Sequence, residues 1–147
     1  MKTKENKLPV GIRNNNPLNI VYNKNNNWIG QLKGVKGKFT AFETMTWGFR
    51  AAAIILKKYI KVHKRDTIKK IISAWAPSNE NDTTAYVNFI CRVTGYDQDE
   101  KVNFNDMIKM LRIMSAMCQM ENGRQFDPQN DKALWQALYD GYISARG

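Results

Sequence analysis

The chain is poor in the residues on which several kinds of chemistry depend. Among 147 residues there is one histidine, His63, and there are two cysteines, Cys91 and Cys118. These do not by themselves assemble a usual zinc set or a Ser-His-Asp triad, so no metal and no cofactor are expected. Each cysteine falls in an apolar segment of helical character. That leaves two states open, a buried free thiol and a helix-to-helix disulfide. No apolar run approaches the roughly 20 residues of a membrane span. The opening MKTKENKLP is basic but leads into no apolar stretch, so it carries no recognisable export signal.

What is present describes an ordinary folded domain with a strong charge. Hydrophobic residues make up 43% and charged residues 24%, the balance of a globular protein, and the length predicts one domain over residues 1–147 that buries a core without staples. A monomer is expected. The net charge of +10 calls for an acidic partner such as nucleic acid, an anionic membrane surface or an anionic wall polymer. Lys57, Lys58, Lys61, Lys64, Arg65, Lys69 and Lys70 supply much of it. They form no motif, and the solvated faces of two helices and their connection are the better account of the run.

Residues 1–42 lack helical periodicity. Gly30, Gly34 and Gly37 with "KFTAF" predict loops or a small β-hairpin there. The remainder, 46–145, reads as helices. The first spans about Thr46 to Val62, with Ala52, Ile55, Leu56 and Tyr59 at helical spacing. The second starts at Asp66 or Thr67, carries Ile68, Ile71, Ile72 and Trp75, and stops at Pro77. The third has Asp82 as N-cap, a stripe of Tyr86, Phe89, Ile90 and Val93, and Gly95 as its stop. A last helix begins at "FDPQND" with Asp127 as N-cap and Pro128 at its first position. It runs to about Ala145, with Leu134, Leu138, Ile143, Trp135 and Tyr142 available to cover the core.

The fourth helix, from about Asn105 to Met120, carries the chemical signal. Its stripe is Met107, Met110, Leu111, Met114, Met117 and Cys118, and the next position in that register is Glu121, about 40° from Met107 around the axis. Partial burial and the negative end of the helix dipole both disfavour an ionised carboxylate there. A raised pKa suits a general acid near neutral pH. The alternative is that Glu121 turns outward or pairs with Arg124. A second cluster, "GIRNNNPLNIVY", packs Arg13, Asn14, Asn15, Asn16 and Asn19 around a proline. Amides donate and accept without charge, so this cluster suits either a self-bonded turn or a neutral hydroxyl- and amide-rich ligand such as a sugar.

"RNNNPLNI", "FTAFETMTWGFRAAAIILKKY", "WAPSNENDTTAYV" and "MENGRQ" together resemble phage-associated proteins that open on an R-N-N-N-P-G-N-[IL] signature. Some members of that group are described as virion proteins and others as lysozyme-like cell-wall hydrolases. The likeness covers about residues 12–126, with Leu18 standing where the pattern has glycine. A wider resemblance is to lytic transglycosylases and goose-type lysozymes. There a helix ends in an E-S-G-like motif with a catalytic glutamate, followed by a G-L-M-Q-like loop, a helix with small residues and an A-Y-N segment. "MSAMCQMENG", "NPLNI", "GFRAAAIILKKY" and "SAWAPSNENDTTAYV" are similar to these four in turn, but the glutamate helix comes last, which implies a circular permutation.

The resemblance implies a mostly α, lysozyme-like domain that cleaves the glycan strands of peptidoglycan, as a hydrolase or a lytic transglycosylase, with Glu121 as general acid and base. Glu80, just ahead of a helix N-terminus, is the second candidate carboxylate and suits a base or a brace. Glu43 is a third. Arg13, Asn15, Asn16, Asn19, Trp75, Asn79, Asn81 and Tyr86 are the expected substrate contacts, with Trp28 a further stacking candidate. Such an enzyme would act from a phage virion, or be made in the cytoplasm and reach the wall through a lysis or secretion system. Two rivals are a non-catalytic virion or wall-binding protein of the same fold and a basic nucleic-acid-binding phage protein. No basic helix interleaved with aromatics supports sequence-specific DNA reading.

Overall fold

Side-chain caps fix where the helices begin. In the structure, a computed structural model that describes residues 8–147, Thr44, Thr67, Asp82, Asp106 and Asp131 each accept a hydrogen bond from a backbone N–H in the first turn of the helix that follows. Residues 1–7, part of the basic opening read for export and of the 1–42 region, lie outside the described residues. The helices are α1 (Val10–Arg13), α2 (Met45–Lys61), α3 (Ile68–Trp75), α4 (Thr83–Thr94), α5 (Met107–Asn122) and α6 (Lys132–Arg146). The protein is mostly α-helical, as the periodicity predicts.

Three details differ from the sequence reading. Asp127 caps only a 3₁₀ turn, Pro128–Asn130, and the last helix restarts on Asp131. Trp135 and Ile143 lie on the outer face of α6, whereas Leu134, Leu138 and Tyr142 are buried. Val93 likewise points outward near the end of α4. The hairpin does not form: the region before α2 has no strand among the described residues, only isolated antiparallel bridges, Val21 with Phe39 and Gln31 with Phe42. Its irregular course is held by side chains instead.

The core is built around α5. Ile113, Ser115 and Ala116 are buried as well as the expected Met110, Leu111, Met114, Met117 and Cys118, so this helix is enclosed on nearly every side. Helices α2 and α6 pack along each other, and Gly141 is the reason they come so close. A Cβ there would stand 2.8 Å from the Thr46 carbonyl oxygen and from the Arg50 nitrogen. Lys57, one of the basic run, donates from Nζ to the Ala145 carbonyl oxygen (3.1 Å) at the C-terminal end of α6, where the dipole favours a cation. Both cysteines are free thiols, Cys118 buried and Cys91 partly so, and burial pushes the Cys118 thiol up to about 12.

The asparagine loop is the scaffold of this N-terminal region. Asn16 is fully buried; its Nδ2 donates to the carbonyls of Ile20 (2.9 Å) and Thr40 (2.8 Å), and its Oδ1 accepts from the Ile20 nitrogen (2.9 Å). A buried amide with three backbone partners holds the chain in place of a ladder. Asn15, at φ 51°, donates to the carbonyls of Phe42 and Glu43. The Asn14 carbonyl accepts from the Phe42 nitrogen (2.8 Å). The loop is therefore pinned to the segment that leads into α2.

A carboxyl group at the end of the central helix as the candidate active site

Glu121 lies one residue before the end of α5, and Gly123, at φ 113°, turns the chain away from it. The register of the Met107–Cys118 stripe directs its side chain inward, toward the asparagine loop and the start of α4. Asn19, at φ 55°, donates from Nδ2 to Glu121 Oε1 at 2.9 Å, and the Tyr86 hydroxyl donates to Oε2 at 2.8 Å. The Trp75 side chain lies near enough to favour the ionised form as well. All three are neutral. Among the described residues the carboxyl group has no ion pair, and Arg124, its alternative partner, lies over the Phe89 ring instead.

These surroundings act on the proton in opposite directions. Burial raises the Glu121 pKa, the hydrogen bonds from Asn19 and Tyr86 and the nearby Trp75 side chain lower it, and the net result lies above the ordinary value of about 4.5. Tyr86 is raised well above its usual range by its own burial and by the adjacent carboxylate, so its hydroxyl stays a donor. Replacing Tyr86 with phenylalanine keeps the ring but removes one bond to the ionised form. The Glu121 pKa should rise further, which ¹³C NMR titration of its carboxyl carbon measures. An unchanged value would show that the hydroxyl does not stabilise the carboxylate.

An open cavity of about 300 Å³ adjoins this group, lined by Asn19, Ile20, Val21, Tyr22, Asn23, Asn26, Ile55, Tyr59 and Trp75. Helix α2 contributes Ile55 and Tyr59, and α3 contributes Trp75 at its last residue, edge-on to Tyr59 with ring centres 6.4 Å apart. The site thus sets a protonatable group beside a cavity of amides and aromatic rings, with Asn19 shared between the two.

Several expected contacts fall elsewhere. Asn16 cannot reach a ligand, because it is buried and fully engaged with backbone. Asn15 is tied to the 42–43 carbonyls, and Arg13, exposed on α1, donates from Nε to the Leu8 carbonyl. Tyr86 is buried and holds the carboxyl group, so it offers no face for stacking on a sugar. Trp28 packs against the core. Asn79, Glu80 and Asn81 are exposed on the turn between α3 and α4, the turn that joins Trp75 to Tyr86, and none of them lines the cavity; Glu43 is exposed as well. The sequence reading missed Tyr22, Asn23, Asn26 and Tyr59 as lining residues. The asparagine-rich stretch after Tyr22 was the available signal.

A mostly helical domain with a desolvated carboxyl group at the end of its central helix, held by neutral donors beside an aromatic- and amide-lined groove, has the makings of an acid–base site. No protein-family model matches the chain. It is 38% identical over 124 residues to Protein P5 of Pseudoalteromonas phage PM2, a match that covers 82% of this chain and 76% of that protein. The chain belongs to the family of that phage protein.

Proposed function

We propose that this protein cleaves the glycan strands of peptidoglycan, with Glu121 as the group that transfers the proton. The observation that carries the reading is the environment of Glu121: partly buried, raised in pKa, without an ion pair among the described residues, and bonded to Asn19 at the edge of a cavity that offers Trp75 for a sugar face and Asn19, Asn23 and Asn26 for hydroxyl and N-acetyl groups. The Glu121 proton would pass to the glycosidic oxygen as the C1–O bond breaks, leaving an oxocarbenium-like sugar. Among the described residues no aspartate or glutamate lines the cavity, and Glu121 meets its edge through Asn19. This favours attack on C1 by the muramoyl 6-hydroxyl, whose proton returns to Glu121, and hence a lytic transglycosylase with 1,6-anhydro products. Hydrolysis by water is the alternative second step.

The lysozyme-like reading draws support from one long-range contact. Asn19 and Glu121 meet although 102 residues separate them, the meeting that a circularly permuted order of the glutamate helix and the asparagine loop requires. Where the chain acts stays part of this proposal: a virion, or a lysis or secretion system that carries it to the wall. No helix among the described residues is long and apolar enough to cross a membrane. The test is incubation of purified peptidoglycan sacculi with the protein. Falling turbidity with release of soluble fragments is expected, whereas sacculi bound but left intact would mark a wall-binding virion protein.

Glu80 has a lesser place in this scheme. Its turn joins the two helices that bring Trp75 and Tyr86 to Glu121, and its exposed side chain stands away from Glu121, so its place in the scheme is at the rim rather than at the reacting atoms. Glu80→Gln should lower turnover several-fold at most. A loss as large as that from Glu121→Gln would make Glu80 a second acid–base group.

A further inference from the structure

Beyond the cavity beside Glu121 lies a second one of about 390 Å³, framed by residues 22–41 of the irregular region. Tyr22 and Asn26 line both cavities, so the two chambers adjoin at these side chains. The chambers differ in chemistry. The one beside Glu121 holds aromatic rings and amides and, among the described residues, no cation. The outer one brings in Lys24 and Lys33, with no aspartate or glutamate among the described residues that line it.

The polar groups of the outer chamber are arranged for a ligand with both amide and carboxylate groups. Lys33 Nζ donates to Asn27 Oδ1 at 3.3 Å, which holds one ammonium group against the wall, and the exposed Asn26 and Lys24 add further donors. Leu32 and Val35, both more than 40% exposed, form an apolar flank suited to short aliphatic side chains. A bare sugar offers no carboxylate for the lysines and little for that flank. A short peptide with free carboxylates and alanine-like methyl groups matches every part of it.

We propose that the outer chamber receives the peptide stem carried on the muramoyl sugars, so that the protein prefers stem-bearing strands to naked ones. The inference rests on the peptidoglycan reading above. It adds to that reading a specificity site of its own, with Lys24 and Lys33 as the residues that recognise the stem carboxylates. The ammonium–carboxylate contacts are exposed, so the preference weakens as salt is raised.

The test is binding to the Glu121→Gln protein by isothermal titration calorimetry, which avoids consuming the ligand. Soluble glycan strands with their stems are compared with the same strands stripped by an N-acetylmuramoyl-alanine amidase. Stems should strengthen binding by about tenfold. The combined Lys24→Ala and Lys33→Ala changes should remove most of that difference, and Lys33→Glu should reverse it. Equal affinity for the two strands, a preference that survives loss of both lysines, or binding of neither strand overturns the proposal. Cleavage is read separately, on the unsubstituted protein. A stem preference without any cleavage keeps this inference and discards the enzymatic reading, and cleavage of both strands without a preference does the reverse.

Discussion

Replacing Glu121 with glutamine should reduce glycan cleavage by about a thousandfold or more, the scale of a lost general acid, while the protein stays folded. The local geometry explains why the fold survives. Glutamine Oε1 can still accept from Asn19, and its amide can donate to the Tyr86 oxygen if that hydroxyl rotates, so both contacts at 2.9 and 2.8 Å have replacements. Volume is unchanged and no cavity opens. What disappears is the transferable proton. Stability should move in a direction fixed by linkage. The folded pKa of Glu121 lies above its unfolded value, so the wild-type protein loses stability as pH rises from the unfolded value through the folded one, and the loss persists above that. Glutamine has no such dependence. Thermal melts of the two proteins should therefore diverge across that interval, with the variant the more stable on the alkaline side.

Gly48→Ala should have the largest effect on the fold. Gly48 sits in the first turn of α2, and a Cβ there would overlap the carbonyl oxygen of Asn15 and stand 2.8 Å from Pro17 Cδ. Neither obstacle is the free end of a flexible side chain. Asn15 is tied to the Phe42 and Glu43 carbonyls, Asn14 accepts from the Phe42 nitrogen, and Asn16 is locked in the core. The loop can give way only by breaking these bonds. A cost of about 3 kcal/mol or more is expected, at the upper end for overpacking, with a fall in Tm of roughly 10 °C. Displacing the loop also moves Asn19, so the upward shift of the Glu121 pKa should change with it. A melt within a degree or two of wild type would show that the loop is not clamped as described.

How much of this was legible in the sequence depends on the range of the interactions. The helices were, because their signals are local: Thr67 and Asp82 cap within three residues, and stripes such as Ile68–Ile71–Ile72 repeat at one period. The inward direction of Glu121 followed from the same periodicity, extended one step beyond Cys118. Asp131 was overlooked because Asp127 and Pro128 carry an equally good starting signal four residues earlier, and only packing of α6 against α2 decides between them. The exposure of Trp135 and Ile143 has the same origin. The asparagine loop was legible in kind but not in role. Of the two roles considered for it, the self-bonded one is present in Asn14, Asn15 and Asn16, whereas Asn19 holds Glu121 and its contact with a sugar belongs to the proposal. Which amide does which depends on partners such as Thr40 and Glu121, far away in the chain, and nothing local encodes them. The sequence places Tyr86 among the sugar contacts because an aromatic ring at helical spacing does not reveal whether its hydroxyl ends on water or on a buried carboxyl group.

The central claim, that Glu121 moves the proton in glycan cleavage, is tested most directly by mass spectrometry of purified peptidoglycan digested with the wild-type and Glu121→Gln proteins side by side. The expected result is soluble muropeptides with 1,6-anhydro ends from the wild-type protein and none from the variant. Reducing ends in their place would assign the second step to water and leave the role of Glu121 intact. No products from the wild-type protein, or the same products from a folded Glu121→Gln protein, would contradict it.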